Sequence, residues 1–338
     1  MLDDARCVLS AFVGAEPEGL VFVANATAGL NAVLRSVKLA PGDEVLLIDH
    51  CYESARWAAR IFAERAGAKA VFAPVPFPPG SEDAVMEAVL AGVSPKTRLA
   101  VLDHVTSPTA LVLPIRRLVR ELAAKGVDTL VDGAHAPGML ELDIRQIGAA
   151  YYTGNCHKWM CAPKGAAFLH VREDRREGVL PTSVSKAIGW LIPGRSRFHN
   201  LFDWQGTFDP TAWLCVPLAV SLMGSLHEGG WPELRRRNHE LAVRGRAIVC
   251  RALGVPEAPD PGMLGSMAAI PLPVVRAELP PPEAHHHPLQ DALLRSHGIE
   301  VPVILLQDGR LLLRISAQAY NREEEYVRLA EALREILA

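Results

Sequence analysis

The stretch that decides the fold runs from Asp128 to Gly165 and reads DTLVDGAHAPGMLELDIRQIGAAYYTGNCHKWMCAPKG. It contains two short apolar runs, Thr129–Val131 and Ala149–Tyr152, and each breaks abruptly into polar residues and glycine. If both runs are parallel strands, their carboxyl ends bring the following side chains to one edge of a sheet. Ligands of open α/β proteins bind along that edge. The stretch therefore predicts a parallel sheet with a ligand site at its edge.

Polar residues follow both runs: Asp132 and His135 after the first, and Asn155, His157 and Lys158 after the second. A buried aspartate near a reactive lysine is what pyridoxal phosphate (PLP) requires, because the lysine forms a Schiff base and the aspartate pairs with the pyridinium nitrogen. Asp132 could instead be a helix cap or a loop carboxylate, and His135 could simply pack locally. The pairing of Asp132 with Lys158 nevertheless favours a cofactor site.

Lys158 is the central candidate for chemistry. A lysine that ends an apolar strand usually extends its amine to solvent. Lys158, however, lies in TGNCHKW between an imidazole and a tryptophan, which is unusual for a solvated face. A desolvated lysine has a lowered pKa and is nucleophilic enough to form an imine with an aldehyde. Lys164 competes on residue type alone, but it belongs to a Pro-Lys-Gly turn that opens the next strand.

Outside this stretch, apolar strands alternate with amphipathic helices. The alternation predicts βαβ units and a doubly wound, mostly parallel sheet. This alternating pattern ends near Gly229. A charged helix, short strands and a final helix follow, and they predict a smaller α+β unit. We therefore expect a large domain over residues 1–228 and a small C-terminal domain over residues 229–338. The segment between Arg172 and Thr207 reads as irregular, and a continuous helix is predicted over Thr211–His227.

Further polar residues follow the other predicted strands. They are His50 and Tyr52 after the second strand and Thr106 and Ser107 after the fourth. Four such clusters on one edge favour a ligand site over scattered surface loops. At the start of the first helix of the sheet, Ala26 and Thr27 leave backbone N–H groups free for a phosphate, although an ordinary helix cap explains them equally well.

Arg314 is the candidate for binding a substrate anion. It lies in the apolar run LLLRIS, whereas Arg310 is expected on the solvated face. A partly buried arginine needs an anion, and its planar fork fits a carboxylate.

Composition and charge exclude several classes of protein. The chain has 338 residues, of which 49% are apolar, and a formal charge of −3, so neither nucleic-acid nor membrane binding is indicated. The six scattered cysteines predict reduced thiols in a cytoplasmic protein, and no metal is expected. The three histidines at 285–287 lie in a proline-rich loop and are interpreted as a solvated turn. No G-x-G-x-x-G motif supports a nucleotide-binding Rossmann enzyme.

Eight segments together carry a family resemblance: VFVANATAGLN, IDHCY, LDHVTSPTALVLPI, VDGAHAPG, YYTGNCHKWMCAPKG, FDWQGTFDP, GSMAAIPLP and LLLRISAQAYN. In this order they resemble the class V aminotransferase-like PLP enzymes, and most of all the isopenicillin N epimerase-like subgroup. The resemblance covers nearly the whole chain. It implies PLP-dependent fold type I, with a doubly wound large domain and a small α+β C-terminal domain.

The resemblance also implies residue roles. Lys158 would be the Schiff-base lysine and the base that moves the substrate α-proton, while Asp132 would pair with the pyridinium nitrogen. His135 would contact the ring oxygen, and Arg314 would take the substrate carboxylate. The remaining cofactor contacts would come from Ala26, Thr27, Asn155 and His157 at the phosphate, Tyr52 or His50 stacked on the ring, Thr106 or Ser107 beside it, and Gly206 and Thr207 from the partner subunit of a homodimer with shared active sites.

Two departures from the family pattern bear on the reaction. The segment RSHGIEVPVILLQDGR carries no cysteine where related desulfurases have a catalytic one, which disfavours persulfide chemistry. The chain also begins at what should be an internal helix of the family, so an N-terminal segment is expected to be missing.

The expected reaction begins with an external aldimine to an amino acid and removal of its α-proton. Aminotransferase is the default outcome, and amino-acid epimerase or C–S lyase is the alternative. The rival from another class is a truncated PLP-binding protein with little catalysis.

Overall fold

The computed structural model describes residues 1–273 and 287–337. A seven-stranded sheet forms its centre, in the order β1-β7-β6-β5-β4-β2-β3. The strands are Leu20–Val23 (β1), Glu44–Ile48 (β2), Lys69–Ala73 (β3), Thr97–Asp103 (β4), Asp128–Asp132 (β5), Tyr151–Asn155 (β6) and Ala167–Val171 (β7). Strands β3, β2, β4, β5 and β6 pair in parallel, and β7 pairs antiparallel with both β6 and β1. The predicted doubly wound, mostly parallel sheet is confirmed.

Helices connect and cover this sheet. In chain order they are Leu2–Val13 (α1), Ala26–Ser36 (α2), Glu53–Arg65 (α3), Glu82–Ala91 (α4), Ile115–Ala124 (α5), Ile144–Ile147 (α6), Arg197–Asp203 (α7), Thr211–Leu214 (α8) and Val216–Gly224 (α9). The central strands are buried on both faces, which explains why they read as continuous apolar runs rather than as alternating ones.

A second, smaller sheet follows. It has the order β8-β10-β9, all antiparallel, with strands Met267–Pro271 (β8), Val303–Leu305 (β9) and Leu311–Ser316 (β10). Helices Gly230–Leu253 (α10), Pro288–His297 (α11) and Glu323–Leu337 (α12) pack around it and share a separate apolar core. The smaller α+β unit is thus confirmed, while the exact boundary at residues 228 and 229 stays a prediction.

Three elements differ from the sequence prediction. The continuous helix over Thr211–His227 is two helices, since Pro217 lacks an N–H and is tolerated only in the first turn of α9. The segment predicted as irregular contains α7, whose cap is Ser196. Strand β6 begins at Tyr151 and extends to Asn155, because its polar end pairs with β7 in the register Asn155↔Ala167.

The histidine-rich turn falls mostly outside the described residues. Only His287 is described, and its Nδ1 accepts a hydrogen bond from the Leu289 amide at the start of α11. Within residues 1–273 and 287–337, no helix is long and apolar enough to cross a membrane.

Candidate functional site

The site is built where strands β4, β5 and β6 end. Asp103 and Asp132 are the last residues of β4 and β5 and are partners in the parallel register. Both are buried, at 3% and 4% exposure. Burial raises the pKa of Asp132, and it raises the pKa of Asp103 well above its usual range, with the Asp132 charge adding to the effect. Two acidic groups therefore share one desolvated corner of the sheet edge.

Lys158 lies against this corner, three residues beyond the end of β6. Its Nζ is 3.1 Å from Nε2 of His135. Burial lowers the pKa of Lys158, and the charge of Asp132 opposes that shift. Burial, and after it the charge of Lys158, holds the pKa of His135 well below its usual range. The structure thus joins the aspartate, the imidazole and the amine that the sequence placed at neighbouring strand ends, and the amine is half-desolvated.

Arg314 approaches the same cavity from β10. A cavity of about 270 Å³ has Lys158, His135 and Arg314 in its wall, together with Tyr320. One terminal nitrogen of Arg314 donates to the carbonyl and the hydroxyl of Ser107, while the buried Nε has no partner among the described residues. The guanidinium is therefore fixed at the wall and keeps donor capacity for an anion.

Helix α2 starts beside the end of β6. The Oδ1 of Asn155 accepts the Ala26 amide at 2.8 Å, and the Asn25 side chain accepts the Ala28 amide at 2.8 Å. The Thr27 amide has no acceptor among the described residues. The prediction that the Ala26 amide holds a phosphate therefore needs correction, since that donor is already bonded to Asn155. Thr27 and the side-chain amide of Asn155 remain as donors.

His157, next to Lys158 in the same loop, has a different partner. Its Nδ1 lies 2.8 Å from the Ala166 carbonyl oxygen, so Nδ1 carries a proton and Nε2 stays available. Burial lowers the pKa of this imidazole.

Other predicted ring contacts are engaged elsewhere. The buried Thr106 hydroxyl accepts the Leu111 amide at 2.8 Å and bonds Thr109 at 2.7 Å. Thr109 in turn lies 3.2 Å from Nδ1 of the buried His50, whose ring meets Phe77 edge-on. These contacts close the loop after β4, and the placement of Thr106 and His50 beside the cofactor ring stays a prediction.

Tyr52 and the loop at Gly206 are more accessible. Tyr52 directly precedes α3 as its N-cap residue and has 42% of its surface exposed, and its amide donates to Asp103 at 3.3 Å. Gly206 has a φ of 124°, a conformation that favours glycine, and Thr207 beside it is exposed. Gly206 and Thr207 line a cavity with Ala24 and Ala28 of the same chain.

Three residues at the site were not selected from the sequence. Asp103 is the buried neighbour of Asp132, and His104 places its Nδ1 2.9 Å from the Tyr152 hydroxyl. Burial lowers the pKa of His104 to about 4. Trp159 donates its indole N–H to Nδ1 of His135 at 3.2 Å. The quoted segment LDHVTSPTALVLPI already contained Asp103 and His104, whereas only side-chain geometry reveals the Trp159 contact.

Residues 1–187 match the family model for aminotransferase class V. The chain belongs to the class V aminotransferase family. Isopenicillin N epimerase from Amycolatopsis lactamdurans is 39% identical to it, over 99% of this chain and 85% of that protein. L-cysteine desulfhydrase from Arabidopsis thaliana is 30% identical, over 98% of this chain and 78% of the relative. The predicted resemblance to class V enzymes of the epimerase-like subgroup is confirmed.

Solved structures share the fold of this class V chain. A mutant of C-DES with glycine covalently linked to its PLP cofactor superposes with a TM-score of 0.77 at 22% identity, covering 99% of this chain and 85% of that one. The fold is therefore that of PLP-dependent fold type I enzymes.

Proposed function

We propose that the chain is a PLP-dependent enzyme that removes the α-proton of an amino acid, with Lys158 as cofactor lysine and base. The observation that carries the proposal is the half-buried Lys158 amine, 3.1 Å from His135 and in one cavity wall with Arg314. Bound PLP supplies an electron sink that stabilises the carbanion left by proton removal. Every other contribution comes from the residues of the chain.

The donors and acceptors of the site fit PLP. Thr27 and the side-chain amide of Asn155 offer hydrogen-bond donors to a phosphate near the start of α2. His157 already uses its Nδ1 proton on the Ala166 carbonyl, so Nε2 would donate to the phosphate only in the imidazolium form, which the phosphate charge favours. Asp132 offers a carboxylate to the pyridinium nitrogen. Burial raises the pKa of that carboxyl, so a cationic partner would offset the cost of keeping it ionised. Lys158 offers a desolvated amine to the aldehyde.

The remaining residues orient the substrate. Arg314 would hold the α-carboxylate with its free donors, because Ser107 already fixes the guanidinium. Lys158 would take the α-proton onto Nζ, and burial lowers the pKa of this amine toward the range of a general base.

For the outcome of the reaction, we propose epimerisation at the α-carbon. The identity of 39% to an isopenicillin N epimerase over 99% of the chain supports it. C–S bond cleavage is the second candidate, supported by the identity of 30% to an L-cysteine desulfhydrase. The default expectation from the sequence, aminotransferase, stays a prediction.

Proton exchange separates these outcomes. In D₂O, an epimerase should place deuterium at the α-carbon and form both configurations without keto acid or thiol. A C–S lyase should release sulfide or thiol with pyruvate-type product from a cysteine-like substrate. A transaminase should stop after one turnover unless a keto acid is added. Loaded protein that exchanges no α-proton with any amino acid would contradict the proposed function and favour a PLP-binding protein without catalysis.

The proposal includes a homodimer with shared active sites. The loop that carries Gly206 and the exposed Thr207 would face the partner's phosphate site. Large apolar side chains at Trp190, Leu191 and Leu218 are more than half exposed in the single chain, which a subunit interface would cover. Analytical ultracentrifugation should give twice the chain mass, and Thr207→Ala should weaken PLP binding. A monomer that holds PLP as tightly as a dimer would contradict this.

A further inference from the structure

Trp159 lies directly after the proposed cofactor lysine, yet its side chain turns to His135. The indole N–H donates to Nδ1 of His135 at 3.2 Å, and only 9% of Trp159 is exposed. An indole nitrogen is a hydrogen-bond donor and never an acceptor. Nδ1 of His135 must therefore present a lone pair. Since burial keeps this imidazole neutral, its single proton lies on Nε2.

The second ring nitrogen faces the lysine. Nε2 of His135 is 3.1 Å from Nζ of Lys158. With the proton on Nε2, this contact is a hydrogen bond only if Nζ carries a lone pair, as in a neutral amine. An ammonium group would set an N–H donor against an N–H donor. The tautomer of His135 thus penalises the protonated form of Lys158.

We propose that Trp159 is a positioning residue that locks His135 in the Nε2–H tautomer and thereby keeps Lys158 an amine ready to bind an aldehyde or accept a proton. The catalytic consequence rests on the proposed function. The same tautomer makes His135 a donor toward any acceptor that occupies the Lys158 side, such as the phenolic oxygen of PLP.

Trp159 is held firmly enough for this role. Gly138 has a φ of 84°, and a Cβ there would lie 2.6 Å from the Trp159 carbonyl carbon, so the two loops are in close contact. From the smaller sheet's side, buried Gln318 donates to the Trp159 carbonyl at 3.3 Å and accepts from Asn238 at 2.7 Å. The backbone of Trp159 is therefore held from both sides, and burial confines the indole that it carries.

Other charged groups also act on the pair. Asp132 and Asp103 favour the ammonium form of Lys158, and Arg314 disfavours it. Lys158 and Arg314 both disfavour protonation of His135. A Trp159→Phe substitution leaves Asp132, Asp103 and Arg314 in place and removes only the indole N–H with part of the ring.

The test uses the full-length chain freed of cofactor. Competitive acetylation of lysines across a pH series, read by peptide mass spectrometry, gives the titration of the Lys158 amine. In Trp159→Phe, His135 can move its proton to Nδ1, and Nε2 can then accept a hydrogen bond from the ammonium form of Lys158. Acetylation of Lys158 at pH 8 should then fall about tenfold, on the scale of one hydrogen bond, and its titration should shift to higher pH.

Trp213→Phe is the matched control, because Trp213 is buried and donates its indole N–H to the Gly165 carbonyl at 2.9 Å. It should leave the titration of Lys158 unchanged. A Trp159→Phe chain that titrates like the wild type would overturn the proposal.

Ring-nitrogen NMR of the wild-type chain gives an independent reading should the variant fail to fold. His135 is expected to carry its proton on Nε2, and a proton on Nδ1 would overturn the proposal. Both measurements are made without cofactor, so they decide the role of Trp159 even if PLP binding itself fails.

Discussion

Replacing Arg314 with glutamine tests the proposed carboxylate site without assuming the outcome of the reaction. Truncating one partner of a buried charged contact costs about 2–5 kcal/mol. Arg314 is only half-buried and one terminal nitrogen already bonds Ser107, which favours the lower part of that range. A loss of about 2–3 kcal/mol corresponds to about a 30- to 150-fold fall in kcat/KM.

The assay is exchange of the substrate α-proton in D₂O followed by NMR, which every proposed outcome shares. An analogue of the substrate in which hydrogen replaces the α-carboxylate is the control substrate. It should react equally poorly with wild type and with Arg314→Gln, because it has no carboxylate for residue 314 to bind. The exposed Arg322 provides a matched arginine, and Arg322→Gln should keep wild-type exchange. If Arg314→Gln exchanges the amino acid within about threefold of wild type, the carboxylate role of Arg314 is refuted.

Two further substitutions address the acidic corner. Asp132→Asn should retain PLP but lose α-proton exchange by about 100-fold or more, since the neutral amide cannot keep the ring nitrogen protonated; normal turnover would remove Asp132 from that role. Folding raises the pKa of Asp103, so the folded chain favours the protonated carboxyl. The contribution of Asp103 to the free energy of unfolding is therefore fully present below its ordinary pKa, and it is lost as the pH rises through the raised pKa of the folded state. Asp103→Asn should therefore stabilise the cofactor-free chain at pH 8 by about 1 kcal/mol or more in urea unfolding, with the gain shrinking toward pH 4, and a gain independent of pH would contradict the assigned cause.

Much of this site could be predicted from the order of residues alone. Parallel strands end at one edge, so Asp132 and Lys158 had to approach one another once their apolar runs were recognised as β5 and β6. Arg314 was found because an arginine inside an apolar strand needs a partner, and Ser107 supplies part of it.

What the sequence could not provide depends on side-chain direction and on competition for hydrogen bonds. The alternation of side chains along a strand predicts which face of the sheet a residue occupies. It does not predict that the side-chain oxygen of Asn155 accepts a hydrogen bond from the Ala26 amide. The Thr106 hydroxyl bonds Leu111 and Thr109, and the order of residues does not reveal that competition. The end of β6 was placed too early, because pairing with β7 outweighed the polarity of its last residues.

The central claim is that Lys158 carries the cofactor. Purified protein should show a visible absorbance band with PLP, and borohydride should remove that band. Peptide mapping should then find the reduced cofactor on the peptide that contains Lys158, and Lys158→Ala should abolish both the band and the label while Lys164→Ala keeps them. A label on Lys164, or a chain that gains no absorbance with added PLP, would contradict the account.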